Sequence, residues 1–280
     1  MALLVKEYRT LNSGERIPVL GLGVFKVDNE TTSAVVADAI KAGIRLIDTA
    51  KAYGNEEGVG RGIKNSGVDR KDLFVTTKVW NSDHGYDNTI AAVKESLQKL
   101  AIAYLDLVLI HWPVPKMDRY VETYQALEYL QKEGLVRSIG VSNFKVPHLE
   151  KLLKECEVVP AVNQIEVHPY LIQTETIEFC KLHHIAVQAW SPLAKGEALT
   201  DPVILEIAAA HKKTAAQVVL RWDYQKEVLS IPKSVKTERT VANADIFDFS
   251  LSSMEMAAID ALDCGKRTGP DPDVFDRMSC

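Results

Sequence analysis

The feature that most constrains this sequence is a regular alternation of short apolar runs with longer amphipathic stretches. The apolar runs begin 24 to 43 residues apart, near Leu20, Ile44, Leu73, Leu105, Leu135, Ala161, Ile185 and Val228. Each interval has room for a strand, a crossover helix and two loops. Runs that are apolar throughout are typical of parallel strands buried on both faces. The sequence therefore predicts a parallel sheet whose strands are connected by helices.

Turn and cap residues add detail at the start of the chain. Residues 8–11 and 17–20 flank the segment 12–15 (NSGE), which is rich in residues that tolerate positive φ, and this pattern predicts a β-hairpin. Thr31 or Thr32 is predicted to cap the first helix, and Gly43 is placed to end it.

Eight strand–helix units favour a closed (β/α)8 barrel, the TIM barrel of about 250 residues. A doubly wound open sheet uses the same alternation and is the alternative. The even count of eight and the absence of a composition break favour the barrel. Because no Pro/Gly/Ser-rich linker divides the chain, we predict an α/β protein with one domain over residues 1–280. It would carry an N-terminal β-hairpin and an extra C-terminal helix.

Composition and charge exclude several other classes of protein. The 280 residues are 46% hydrophobic and 25% charged, which is ordinary for a globular chain, and the net charge of −5 gives no footprint for nucleic acid. No apolar run is long enough for a membrane span, and the N-terminus lacks the apolar core of a signal peptide. The four cysteines show no metal-binding spacing. We therefore expect a cytoplasmic protein with reduced cysteines, a monomer by default, and neither nucleic acid nor membrane as partner.

Polar residues stand directly after several of the apolar runs. In a barrel of this kind, reactive groups lie just past the carboxyl ends of the strands. Asp48 follows the second run, with Tyr53 five residues on; Lys78 ends the third and His111 the fourth. Any one of these has an ordinary structural explanation, such as a helix cap or a surface charge. The four together come from three consecutive strands, and we expect them to converge on one rim.

The combination is chemically coherent as a proton-donating site. A tyrosine has an unperturbed pKa near 10. A neighbouring ammonium favours the ionised phenol, and a carboxylate behind the lysine keeps that charge in place. A histidine can add a hydrogen bond to a substrate oxygen.

Residues 43–56 (GIRLIDTAKAYGNE) closely resemble the first signature of the aldo-keto reductases. Further matches lie in order along the whole chain, one before this signature and five after it: residues 21–23 (GLG), 104–107 (YLDL), 110–113 (IHWP), 140–144 (GVSNF), 162–164 (VNQ) and 231–234 (IPKS). Residues 269–272 (GPDP) resemble the bacterial and protozoan branch, which includes 2,5-diketogluconate reductases and prostaglandin F synthase-like members. The resemblance implies NADPH-dependent reduction of a small-molecule carbonyl.

The resemblance also implies a role for each matching residue. Asp48, Tyr53, Lys78 and His111 correspond to the family's catalytic tetrad, with Tyr53 as general acid. The corresponding cofactor-binding residues are Ser142, Asn143, Gln164, Trp190, Ser191, Leu193, Lys233, Ser234, Arg239 and Asn243. In this set Trp190 would stack on the nicotinamide, and Lys233, Ser234 and Arg239 would hold the 2′-phosphate. The substrate pocket would be formed by Val24, Phe25, Trp80, Trp112 and His111, with the C-terminal segment around Val274 and Phe275.

Two positions depart from the family pattern. Lys195 stands where many relatives have a small or polar residue, and Ala242 replaces an acidic or amide neighbour of Asn243. The glycine pattern of residues 21–26 (GLGVFK) lacks the third glycine and opens no helix, so it is no Rossmann motif. The polar segment after Leu262 is short, and we expect an open pocket with broad carbonyl tolerance.

Several alternatives remain open from sequence. The enzyme could serve one dedicated substrate, as a keto-sugar reductase or a prostaglandin F synthase does. A nucleotide-binding barrel with a regulatory or structural role belongs to a different class. A metal-dependent hydrolase is disfavoured because His168, His183 and His184 are not spaced as metal ligands, and we expect no metal.

Overall fold

A computed structural model describes residue 5 and residues 7–279; the remaining residues of the predicted domain, 1–4, 6 and 280, lie outside the described part. The described chain opens with two antiparallel strands, β1 (Tyr8–Thr10) and β2 (Arg16–Pro18). Gly14, at φ +87°, makes the turn between them, where a side chain is disfavoured. The predicted hairpin is confirmed.

Eight parallel strands within residues 22–230 form the main sheet, in sequence order. They are β3 (Leu22–Gly23), β4 (Leu46–Asp48), β5 (Phe74–Val79), β6 (Leu105–Ile110), β7 (Val136–Ser142), β8 (Val162–Glu166), β9 (Ala186–Trp190) and β10 (Leu229–Ser230). Each begins within two residues of its predicted start. Parallel bridges from Leu20 to Ser230 and from Gly23 to Lys233 join the last strand to the first. The sheet therefore closes, and the (β/α)8 barrel is confirmed over the open sheet.

Helices cover the outside of the barrel. In the described chain they are α1 (Asn29–Ala42), α2 (Glu56–Ser66), α3 (Tyr86–Leu100), α4 (Tyr120–Lys132), α5 (Val146–Glu155), α6 (Thr174–Leu182), α7 (Pro202–His211), α8 (Ala215–Gln225), α9 (Thr237–Ala244) and α10 (Ser253–Asp260). One helix follows each strand from β3 to β8, two helices (α7 and α8) follow β9, and two (α9 and α10) follow β10, where α10 is the predicted extra C-terminal helix. Among the described residues, no helix is long and apolar enough to cross a membrane.

The start of α1 differs from the prediction. Asp28, rather than Thr31 or Thr32, is the N-cap, and its carboxylate accepts the amides of Glu30 and Thr31. Thr32 lies inside the helix, where its hydroxyl donates to the Asp28 carbonyl oxygen at 2.7 Å. A carboxylate that reaches two of the free amides of the first turn is the better cap. Gly43, at φ +111°, ends the helix as predicted.

The hairpin closes the amino end of the barrel. Leu11 and Ile17 are buried in one apolar cluster with residues that point into the barrel from its strands, among them Leu46, Leu107 and Val162. A second and larger core lies between the strands and the surrounding helices. Because the amino end is filled by apolar side chains, a site for polar chemistry has room only at the carboxyl end.

Candidate active site

The inward-facing side chains of the barrel change from apolar to polar toward the carboxyl ends of the strands. Side chains alternate between the two faces of a strand, so residues two apart share a face. Asp48 follows the buried Leu46 in this way, Lys78 follows Thr76, and His111 comes two residues after Leu109. Three neighbouring strands thus place a carboxylate, an ammonium and an imidazole at one rim, as the sequence predicts.

Lys78 is at the centre of this group. Its Nζ donates to Asp48 Oδ1 at 2.6 Å, to the Thr49 carbonyl oxygen at 2.9 Å and to Tyr53 Oη at 3.4 Å. Tyr53 reaches this position from a single 3-10 turn, Lys51–Tyr53, which directly follows β4. The other oxygen of Asp48 accepts Gln164 Nε2 at 2.7 Å. The Lys78 ammonium, the Asp48 carboxylate and the Tyr53 hydroxyl are therefore fixed relative to one another.

Burial and charge act on the two titratable donors in opposite senses. Burial alone would lower the pKa of Lys78, but Asp48 and Tyr53 beside it raise that pKa above its usual value, so the ammonium stays charged. Burial raises the pKa of Tyr53 more than the Lys78 ammonium lowers it. The phenol is consequently protonated at neutral pH and has a cation beside it to stabilise the phenolate once the proton has left.

His111 lies across the opening from Tyr53. Their ring centroids are 5.7 Å apart in an edge-on arrangement, and Trp80 contacts the imidazole at 5.0 Å. Burial, with a further contribution from the Lys78 charge, lowers the pKa of His111 well below its usual value. The imidazole is therefore neutral at physiological pH and suited to orienting an oxygen rather than to supplying a proton.

Three polar side chains from β7 and β8 form a connected group beside the rim. Ser142 Oγ donates to the Gln164 carbonyl oxygen at 2.8 Å, and Asn143 Nδ2 donates to the His111 carbonyl oxygen at 2.9 Å. Gln164 is in turn bonded to Asp48 and, at 2.7 Å, to Gln188 Oε1. Asn143 and Gln164, whose side-chain amides the resemblance assigns to the nicotinamide carboxamide, are thus held by the same hydrogen-bond network as the Asp48–Lys78 ion pair.

Trp190 ends β9 with its indole half-buried at the mouth. Its Nε1 donates to Asn143 Oδ1 at 2.8 Å, and Gly269 of the C-terminal segment packs against the opposite edge of the ring. Ser191 and Leu193 follow in the loop after β9, where Ser191 adopts φ +51°.

The remaining predicted cofactor residues lie beyond β10, near the start of α9. Lys233 and Arg239 are exposed, whereas Ser234 and Asn243 are buried and line a small cavity with Thr240. Lys233 Nζ donates to the Lys26 carbonyl oxygen at 3.0 Å, and the Ser234 hydroxyl bonds to the backbone of Lys236. Lys233 thus comes shortly before the N-terminus of α9 and Arg239 lies in its first turn, an arrangement that suits a phosphate group.

Aromatic and aliphatic side chains form the walls of the mouth. Trp80, Trp112 and Val114 form a buried cluster against which Phe275 and Trp190 pack. The Phe275 ring lies 4.4 Å from Trp112, and Phe25 lies half-exposed 4.9 Å from Tyr53. Val24 is fully buried in the larger core.

The short C-terminal segment covers one side of the mouth. Trp80 Nε1 donates to the Met278 carbonyl oxygen at 2.9 Å, and Asn81 Nδ2 donates to that of Arg277 at 2.8 Å. Salt bridges from Lys145 to Asp271 and Asp273 hold the same segment further along. The segment, which the resemblance assigns to the pocket wall around Val274 and Phe275, therefore lies at the mouth.

Sequence reasoning missed two buried residues that support the site. Asn55 accepts the Thr49 hydroxyl at 2.7 Å and donates to the carbonyl oxygens of Val24 and Val27, which joins the loops after β3 and β4. Glu166 ends β8 two residues after Gln164 and bonds to the backbone at Thr268. A carboxylate at an inward position of an otherwise uncharged strand is the signal that could have found Glu166.

The histidines considered as metal ligands have other contacts. His168 Nε2 lies 3.2 Å from Glu166 Oε1, and the His183 ring packs on Phe179 at 4.4 Å. Over the described residues, no three His, Cys, Asp or Glu side chains stand together in a way that could hold a metal ion.

A closed barrel with a Tyr–Lys–Asp–His rim and a nearby cationic turn defines an oxidoreductase of the carbonyl-reducing kind. The sequence profile described as "Aldo/keto reductase family" matches residues 19–263. This chain belongs to the aldo-keto reductase family.

Curated relatives match over nearly the whole chain. A protein named glyoxal reductase from Bacillus subtilis (strain 168) is 54% identical over 275 residues, 98% of this chain and 99% of that one. A protein named 9,11-endoperoxide prostaglandin H2 reductase from Trypanosoma cruzi (strain CL Brener) is 50% identical, covering 95% of both chains. One named methylglyoxal reductase DkgA from Yersinia pestis is 47% identical, covering 98% of both. The resemblance to bacterial and protozoan members is confirmed.

Solved structures match the fold equally well. A mutant of Gox0644 in complex with NADPH has a TM-score of 0.92 at 44% identity, covering 96% of this chain and 98% of that one. A Bombyx mori aldo-keto reductase in complex with NADP has a TM-score of 0.88 at 36% identity, covering 93% of this chain and 94% of that one.

Proposed function

We propose that this chain is an NADPH-dependent reductase that converts small aldehydes, ketones and dicarbonyls to alcohols. The observation that carries the proposal is the Tyr53 hydroxyl at the mouth of the barrel, 3.4 Å from a buried Lys78 ammonium that is itself paired with Asp48 at 2.6 Å. Family membership and the relatives named as glyoxal and methylglyoxal reductases support the same reaction.

The residues present fit the cofactor. Trp190 offers a half-buried indole at the mouth of the barrel for the nicotinamide ring, and Ser142, Asn143 and Gln164 supply polar partners for its carboxamide. The loop at Ser191 and Leu193 would follow the pyrophosphate. Lys233, Ser234 and Arg239 stand at the start of α9 for a 2′-phosphate, with Asn243 behind them for the adenine. Exposed cations at a helix N-terminus favour a dianionic group, and hence NADPH over NADH.

NADPH, when bound, supplies the hydride that adds to the carbonyl carbon. Tyr53 donates its phenolic proton to the carbonyl oxygen as negative charge develops there, which is general acid catalysis. The Lys78 ammonium stabilises the phenolate that remains. Neutral His111 holds the carbonyl oxygen in line with the phenol.

The walls of the mouth support small, uncharged substrates. Trp80, Trp112 and Phe275 present apolar rings at the mouth, and Phe25 packs against Tyr53. Apolar walls with a few convergent polar groups are typical of small-molecule sites. We therefore place glyoxal-like dicarbonyls and simple aldehydes ahead of a keto-sugar or a prostaglandin endoperoxide.

We also propose that the chain acts as one domain, as a monomer and in the cytoplasm. Closure of the barrel by the first and last strands supports the single domain. The free thiols of Cys156, Cys180 and Cys264 in the described chain support a reducing compartment.

The first test is consumption of NADPH by the purified protein with methylglyoxal. We expect fast oxidation of NADPH, slow oxidation of NADH, and a loss of about 100-fold or more in Tyr53→Phe, since the general acid is removed. Tyr86→Phe, which removes a hydroxyl from an exposed ring on α3, is the matched control and should behave as wild type.

Other outcomes would revise the proposal. Binding of NADPH without turnover of any carbonyl in a broad panel would favour the regulatory barrel instead. Full activity in Tyr53→Phe would assign the proton to another group. A strong preference for one substrate would replace broad tolerance with a dedicated enzyme.

A further inference from the structure

Trp190 is held at two edges of its indole, which fixes the plane of the ring. Nε1 donates to Asn143 Oδ1 at 2.8 Å on one side. On the other side the benzenoid edge lies so close to Gly269 that an added Cβ would stand 2.4 Å from Cη2 and 3.1 Å from Cζ3. In a closely packed site, the backbone at Gly269 therefore determines how far the indole can tilt away from the barrel mouth.

Glu166 holds that stretch of backbone in place. Its Oε1 accepts the Thr268 amide at 2.6 Å, the Thr268 hydroxyl at 2.5 Å and the Gly269 amide at 3.2 Å. The carboxylate is fully buried at the carboxyl end of β8, and His168 Nε2 lies 3.2 Å from it. Charge-assisted hydrogen bonds of this kind are roughly twice as strong as neutral ones.

The charge of Glu166 is maintained at neutral pH. Burial would raise its pKa, but the hydrogen bonds from His168 and Thr268 together outweigh burial and hold the pKa below its usual value. Other contacts of the same segment, from Lys195 to the Thr268 carbonyl oxygen and from Lys266 to Glu197, are exposed and contribute less. Glu166 is therefore the main anchor of residues 268–269 on the barrel.

We propose that Glu166 is a positioning residue for hydride transfer, acting through Gly269 and the Trp190 ring to set the orientation of the nicotinamide relative to Tyr53. The Glu166 carboxylate holds the Gly269 backbone, that backbone limits the tilt of the Trp190 indole, and the indole supports the nicotinamide ring. The inference rests on the proposed function, because it takes Trp190 as the surface on which the nicotinamide stacks. It adds to that function a residue outside the predicted site and a specific requirement for glycine at position 269.

The test compares three variants of the full-length protein. Glu166→Gln keeps the length of the side chain but removes its charge, and Gly269→Ala presses on the indole without altering the carboxylate. Lys266→Ala is the matched control, since Lys266 belongs to the same segment and its exposed side chain pairs with the exposed Glu197. The readouts are the Kd of NADPH, the single-turnover rate of hydride transfer to methylglyoxal, and the deuterium isotope effect with NADPH labelled at the transferred position.

We expect hydride transfer to slow by about tenfold or more in Glu166→Gln and Gly269→Ala, because small errors in the alignment of reacting groups are costly. The isotope effect should rise in both as the chemical step becomes rate-limiting. The Kd of NADPH should change less, since the cationic turn at Lys233 is on other elements. Lys266→Ala should match wild type in all three readouts.

The outcomes separate the inference from the proposed function. If wild type neither binds nor oxidises NADPH, the proposed function fails and the inference fails with it. If wild type is active and Gly269→Ala transfers hydride as fast as Lys266→Ala, the inference alone is wrong. Should Glu166→Gln fail to fold, the comparison of Gly269→Ala with Lys266→Ala still decides, because both variants keep the Glu166 side chain itself.

Discussion

At the scale of single residues, the site depends on one buried ion pair. Lys78 and Asp48 have almost no exposed side-chain surface, and their Nζ–Oδ1 distance is 2.6 Å. Taking two charges out of water is costly, and pairs of this kind are often no more stabilising than apolar residues of the same size. The pair is therefore better explained by the chemistry of Tyr53 than by the stability of the barrel.

Removing one partner should separate these two roles. Lys78→Met leaves Asp48 buried and unpaired, so we expect the free energy of unfolding to fall by about 3–5 kcal/mol and activity to be lost. Lys78→Met combined with Asp48→Leu removes both charges and should recover much of that stability while remaining inactive. Urea denaturation and NADPH oxidation measure the two effects. A single variant as stable as wild type would contradict the expectation.

The pH dependence of reduction follows from the two shifted groups. Tyr53 must be protonated to act as the acid, and its pKa is raised by burial, so its activity is lost only as pH rises through that value. We expect kcat/KM to stay level from about pH 6 to about pH 10 and to fall only above that, because the pKa of Tyr53 lies above the usual value near 10. His111, neutral throughout because its pKa is well below the usual value, adds no step. An inflection near pH 6.5 that His111→Phe abolishes would show this to be wrong.

At the scale of elements, the hairpin end of the barrel contributes to stability, and the rim at the other end carries the reactive groups. Ile17 of β2 is fully buried at the amino end, in the cluster that includes Leu46 and Leu107. The same strands carry Asp48 and, one residue past β6, His111 at the opposite end. A change at the hairpin should therefore alter folding without altering the reaction.

Ile17→Ala tests this division. We expect a loss of about 2–5 kcal/mol in the free energy of unfolding, because deletion of a buried isoleucine leaves a cavity. At 25 °C the folded fraction should keep the wild-type kcat and KM for NADPH and methylglyoxal. Leu182→Ala, at an exposed position of α6, is the matched control and should change neither quantity. A reduced kcat in folded Ile17→Ala would mean that the two ends of the barrel are coupled.

At the scale of the whole molecule, the structural features that can be predicted from the sequence are those that repeat along it with a regular period. The strands are found because each is a continuous apolar run, and Asp48, Lys78 and His111 because each follows such a run directly. The N-cap at Asp28 is missed because Asp28, Thr31 and Thr32 all have side chains that can cap a helix. Only the backbone conformation shows at which of them the helix begins. Glu166 is missed because its partners, Thr268 and Gly269, lie about a hundred residues away in sequence. Contacts of that range require the closed barrel.

The course of the C-terminal segment has a practical consequence for anyone who attaches this protein to a surface. The Met278 carbonyl oxygen accepts the Trp80 indole N–H at the mouth. A purification tag, a fusion partner or a linker inserted just after Met278 would pull on the wall of the pocket. The hairpin lies at the far end of the barrel, so coupling through exposed groups on that side leaves the entrance free for substrate.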